Sequence, residues 1–86
     1  MKKVYIITWE DVCCDAEDMH GISGVLSTHK SAKRALESLR EYEKNELIAN
    51  GYEDAESMIE DFKDGFEVNF GYNDYKMYEI IEKDVK

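Results

Sequence analysis

The chain has 86 residues, a formal net charge of -9 and no proline. At this length it makes a single compact domain, residues 1–86, with one modest core that hides roughly 60–65% of the unfolded surface. The acidity argues against direct binding to nucleic acid or anionic membranes, which depend on Lys and Arg meeting phosphate, and leaves basic protein surfaces and cations as partners.

The charge is unevenly placed. Residues 1–40 hold six acids and six bases, so the whole net charge sits in residues 41–86. Its densest part runs from Glu41 to Glu67, where ten carboxylates face two lysines, Lys44 and Lys63.

Residues 2–10 are rich in β-branched and aromatic types and read as a central strand. Val4, Ile6 and Thr8 share one side, and Tyr5, Ile7 and Trp9 share the other. The apolar run after Met-Lys-Lys is too short for a secretory segment and ends at Glu10 and Asp11, so the expectation is a cytoplasmic protein without a membrane span. Residues 11–20 read as a polar loop. Adjacent Cys13 and Cys14 cannot close a constraining loop and are read as reduced thiols. Residues 21–27 read as a second strand, antiparallel to the first.

Ser27 or Thr28 can cap a helix. Ala32, Ala35, Leu36, Leu39 and Tyr42 then recur at helical spacing, and Gly51 suits the left-handed stop. Glu43 and Glu46 fall inside the same apolar stripe. Either the helix bends near Lys44-Asn45 or it outruns the sheet beyond Tyr42, and set against a seven-residue strand of about 23 Å the lengths favour the second. A second helix fits residues 52–64, with Tyr52, Ala55, Met58, Ile59 and Phe62 on its inner side. Residues 66–70 and 75–83 read as a closing hairpin around Gly71-Tyr72-Asn73-Asp74. The expected fold is α+β: a four-stranded antiparallel sheet, ordered β-β-α-α-β-β, with two helices on one face.

On a 52–64 helix, Glu53, Asp54, Glu56, Glu60, Asp61 and Asp64 would form an acidic side with a charge about every 2.8 Å along the axis. Duplex DNA carries one per about 1.7 Å. Such an array could imitate a phosphate backbone and enter a groove built for nucleic acid. The plainer alternative is a solvated helix face in an acidic protein. With Glu43, Glu46 and the turn residue Tyr72, these acids form the candidate partner surface. Tyr5, Ile7 and Trp9 form a candidate oligomer or partner face.

Chemistry-bearing motifs are weak. The stretch from Glu10 to His20 clusters acids, two thiols and an imidazole, but lacks the glycine and terminal acid of a calcium loop and the paired Cys-x-x-Cys of structural zinc. Nothing fixes Cys13 near His20 or His29, and surrounding acids would raise its thiol pKa. No phosphate loop, nucleophile triad or dinucleotide fingerprint is present. The expectation is a non-enzyme with no cofactor and no metal.

Residues 3–36 and 75–85 resemble small uncharacterised phage and prophage proteins. The likeness rests on the strand Val4-Tyr5-Ile6-Ile7-Thr8-Trp9-Glu10, the acidic loop after it, Gly24-Val25-Leu26-Ser27-Thr28, a helix opening with Ala32 and Ala35, and a closing Tyr78-Glu79-Ile80. It covers about half the chain and implies a compact α+β domain from a mobile element. In size and acidity alone the chain is similar to anti-CRISPR and anti-restriction proteins. The expected function is therefore a phage-type, non-enzymatic inhibitor of a basic, nucleic-acid-binding host protein. The alternatives are a structural or regulatory homo-oligomer, such as a homodimer through the sheet face, and a protein that sequesters a small ligand or nucleotide.

Overall fold

The computed structural model describes residues 2–12, 19–71 and 74–85. In chain order these form β1 (Lys2–Val12), β2 (Met19–Leu26), α1 (His29–Ala49), a short 3-10 turn (Ala55–Met58), β3 (Ile59–Phe62), β4 (Gly65–Gly71) and β5 (Asp74–Val85). The five strands make one antiparallel sheet in the order β2-β1-β5-β4-β3, so β1 is interior as its apolar composition predicts. With α1 laid on one side, the domain is a slab of 45 × 26 × 18 Å.

This corrects the expected four strands and two helices. Residues 52–64 are not helical: they contain the 3-10 turn, β3 and the start of a tight turn into β4. The strand seats buried Ile59 opposite buried Val68 and turns Asp61 toward Arg40 on the helix. Phe62 pairs with Gly65, leaving Lys63 and Asp64 as a two-residue turn. Gly65 opens β4 pressed close to β5: a Cβ there would lie 2.3 Å from the Tyr78 carbonyl oxygen.

The α1 stripe is close to that read from spacing. Thr28 is the N-cap, its hydroxyl accepting from the Ser31 amide at 3.0 Å. At the other end, the Gly51 amide donates to the Ile48 carbonyl and the Tyr52 amide to the Leu47 carbonyl. Gly51 has φ +90, the left-handed conformation that this closure needs.

The helix does not outrun the sheet. Its 21 residues span about 32 Å, and the 12 residues of β5 reach about 40 Å. Leu47, a turn from the helix end, is still buried.

The core lies between α1 and the sheet. Ala32, Leu36 and Leu47 meet Ile7, Ile80, Phe66, Val68 and Ile59, with Ala55 closing one end. Phe66 and Tyr78 stack at 4.9 Å.

Sheet register fixes which residues share each face, because directly paired residues point the same way. Ile7 pairs with Ile80, and Trp9 with Tyr78. Tyr5, Ile7 and Trp9 therefore point toward the helix. The expectation that they form an open oligomer or partner face is reversed: Ile7 is fully buried, and Tyr5 packs on the core with its ring 5.6 Å from that of His29. The uncovered face belongs to Val4, Ile6, Thr8 and Glu10.

Candidate functional site

The acids expected to form one array separate into three groups. On the helix side they are engaged. Glu43 is 4% exposed; it accepts from the Tyr78 hydroxyl at 2.8 Å and has the Lys76 ammonium 3.6 Å away. That explains an acid inside an apolar stripe: it holds α1 to β5. Burial pushes the Tyr78 phenol well above its ordinary pKa, and the hydrogen bond to Glu43 adds to the shift.

Arg40 on α1 grips Asp61 of β3 at 2.8 and 3.1 Å and also bonds Glu56. Lys44 reaches Glu56 at 3.0 Å. The hydrogen bond from Arg40 holds the Glu56 carboxyl below its usual range, with Lys44 adding to the effect. Asp64 lies 2.8 Å from His29. Glu43, Glu56, Asp61 and Asp64 thus fasten the helix to the sheet.

Glu46, Glu53 and Asp54 are exposed at the helix end and in the following loop, apart from the sheet acids. Tyr72 lies outside the described residues, as do Cys13, Cys14 and the acids Asp15, Glu17 and Asp18.

Glu60 alone of the expected set lies on the uncovered face, where the register gives it new neighbours. Glu60 pairs directly with Glu67. Glu67 pairs with Met77, which pairs on its other side with Glu10. Glu79 pairs with Thr8 and Gly65. One glutamate from each of β1, β5, β4 and β3 therefore sits on this face. Direct pairs place Cβ atoms about 5 Å apart and diagonal pairs about 7–8 Å. Among the described residues none of the four carboxylates takes part in a hydrogen bond or ion pair, in contrast to the helix-side acids.

Beside these acids the same face is apolar. Ile22 is 63% exposed and Val25 58%; they pair with Thr8 and Ile6 respectively. Ile81, Val85 and Phe62 are also exposed. A shallow trough of about 760 Å3 runs where the two zones meet, lined by Thr8, Glu10, His20, Ile22, Met77 and Glu79. Its make-up suits a long cationic side chain, whose stem can lie on Ile22 and Met77 while its head meets Glu10 or Glu79.

The sequence reading missed Glu10, Glu67 and Glu79, together with Ile22 and Val25. The available signal was two-residue alternation: Glu60 with Phe62 and Glu67 with Asn69 share a strand face once residues 59–62 are read as extended.

A second concavity, of about 340 Å3, lies on the helix side and is lined by Trp9, Asp11, Met19, Lys76 and Tyr78 among others. The Trp9 indole lies against Gly21, where an added Cβ would come within 2.9 Å of its nitrogen. No group of His, Cys, Asp and Glu among the described residues is arranged to hold a metal ion. No helix among them is long and apolar enough to cross a membrane.

No protein family, curated protein or solved structure matches this chain.

Proposed function

We propose that this protein is a non-enzymatic binding protein that docks a basic surface of a partner protein onto the uncovered face of its sheet. The observation that carries the proposal is the direct Glu60–Glu67 pair, extended by Glu79 and Glu10, none of whose carboxylates forms an ion pair among the described residues. Directly opposed like charges destabilise a sheet by up to about 1 kcal/mol. A partner's Lys and Arg would relieve that repulsion, and the adjoining Ile22, Val25 and Ile81 supply apolar contact area.

The narrower form is a partner whose basic surface ordinarily holds nucleic acid, as expected of a phage-type inhibitor acting in the cytoplasm. The chain's acidity and the resemblance of residues 3–36 and 75–85 to phage and prophage proteins support that form. The acids would then compete with DNA or RNA from strands, not from a helix.

The test is capture from host lysate with wild-type protein and with a Glu60→Lys/Glu67→Lys/Glu79→Lys variant. A basic protein retained only by wild type, released by moderate salt and displaced by duplex DNA or RNA, supports the proposal. Equal retention by both proteins would sink it.

A second reading is binding of a small ligand in the helix-side concavity, favoured by the convergence of Trp9, Tyr78 and Lys76 on one space. Thermal-shift measurements with nucleotides test it: stabilisation lost in Lys76→Ala supports it, and no shift with any nucleotide removes that ligand class.

A further inference from the structure

The sheet ends in two edges of opposite character. At one end, β3 is four residues long, and its Glu60 and Asp61 are charged. Short length and charge are the usual protections of a sheet edge against pairing with another chain. At the other end, β2 is eight residues long, Met-His-Gly-Ile-Ser-Gly-Val-Leu, with no Asp, Glu, Lys or Arg. Among the described residues no strand lies beyond it. Its register shift opposite Ile7 and Thr8 is the one protective feature it has.

A groove of about 620 Å3 runs between this edge and the helix, lined by Gly24, Leu26, Ala35, Ser38, Leu39 and Tyr42 among others. These residues are uncharged, and Tyr42 is exposed. A strand added beside β2 would turn alternate side chains into this groove and the rest toward the side of Ile22 and Val25.

We infer that the occupant is a second copy of this chain, paired antiparallel through β2 about a two-fold axis perpendicular to the sheet. Charge selects this arrangement. Two chains of net charge -9 repel wherever their acids approach, and β2 is the strand without charged residues. Self-pairing through β3 would set Glu60 and Asp61 against their own copies. Pairing through β2 keeps the acids far apart. Glu79 on β5 lies two strands from the β2 edge and Glu10 on β1 lies one strand from it; at about 4.8 Å per strand, β1 and its copy are about 14 Å apart, and β5 and its copy are about 24 Å apart. Those separations are nearly two and about three screening lengths at physiological salt.

The product is a continuous ten-stranded sheet with both helices on one side. Its open face has a central apolar band, with Ile22 and Val25 from each copy, and an acidic wing at either end. The dimer forms whether or not that face binds a basic partner.

Sedimentation across a hundred-fold concentration range tests the inference. Wild-type protein is expected at twice the chain mass of 10.0 kDa, dissociating on dilution. Val25→Lys places a charge at the edge on an already exposed side chain. It should raise the dissociation constant by about tenfold or more with an unchanged circular dichroism spectrum, whereas Val25→Thr should not.

A Glu60→Lys control on the far edge should leave dimerisation intact. Hydrogen exchange gives a readout that needs no variant: β2 amides should be protected in concentrated wild-type protein and exchange faster on dilution. A wild-type monomer at every concentration, a Val25→Lys protein that dimerises as well as wild type, or β2 protection independent of concentration would each overturn the inference.

Discussion

The two faces of the sheet use the same side chain for opposite ends. Toward the helix, glutamates and aspartates are tied down: Glu43 by Tyr78 and Lys76, Asp61 by Arg40, and Asp64 by His29. On the open face Glu10, Glu60, Glu67 and Glu79 have no such ties among the described residues. Removing a helix-side acid should therefore cost stability, whereas removing an open-face acid should not. A count of carboxylates along the chain makes the two groups look alike; register separates them.

The largest effect should come from Glu43. Glu43→Ala leaves the Tyr78 hydroxyl without its acceptor and Lys76 without its counterion, and urea denaturation should show a loss of about 3 kcal/mol or more. Glu43→Leu combined with Tyr78→Phe replaces the polar contact by apolar packing and should recover much of that loss. If the double variant is as unstable as Glu43→Ala, the loss does not come from leaving the Tyr78 hydroxyl without a partner.

Gly65→Ala comes next. Its new methyl would meet the Tyr78 carbonyl oxygen at 2.3 Å, so the backbone must shift where β4 leaves the turn. A loss of about 1–3 kcal/mol by thermal or urea unfolding is expected. An unchanged midpoint would mean that β4 can open away from β5 at no cost.

The Tyr78 contact also sets a pH dependence. Its folded pKa lies above the ordinary value of 10.0, so its contribution to stability is full below pH 10. That contribution declines as pH rises from there toward the folded pKa, because the unfolded phenol ionises first. Wild-type protein should lose stability above pH 10 more steeply than Tyr78→Phe does; parallel curves would contradict a buried phenol. The smallest effect has the opposite sign. Glu67→Gln removes repulsion with Glu60 and should stabilise by a few tenths of a kcal/mol up to about 1.

Much of the fold was legible in the sequence, and what was not has identifiable causes. The run from Val4 to Trp9, apolar on both sides, announced an interior strand, and Thr28 and Gly51 bracketed the helix. Residues 52–64 misled because Tyr52, Ala55, Met58, Ile59 and Phe62 satisfy a helical period as well as they do a turn followed by a strand. Burial of Ile7 was not readable, because both sides of β1 are apolar and only the position of α1 decides which is covered. The same ambiguity moved the candidate site. Asp61 and Glu60 are neighbours in sequence, yet one faces Arg40 and the other faces the open side.

Whether the open-face acids form a recognition surface, distinct from the other exposed acids, is tested most directly by NMR. Isotope-labelled protein would be titrated with a peptide of alternating Lys and Leu, in moderate salt. Amide shifts should concentrate on Glu10, Glu60, Glu67 and Glu79 and on the trough residues Ile22 and Met77, and should vanish in the Glu60→Lys/Glu67→Lys/Glu79→Lys variant. Shifts of equal size at Glu46, Glu53 and Asp54, persisting in that variant, would show attraction to net charge alone and contradict a built site on the sheet.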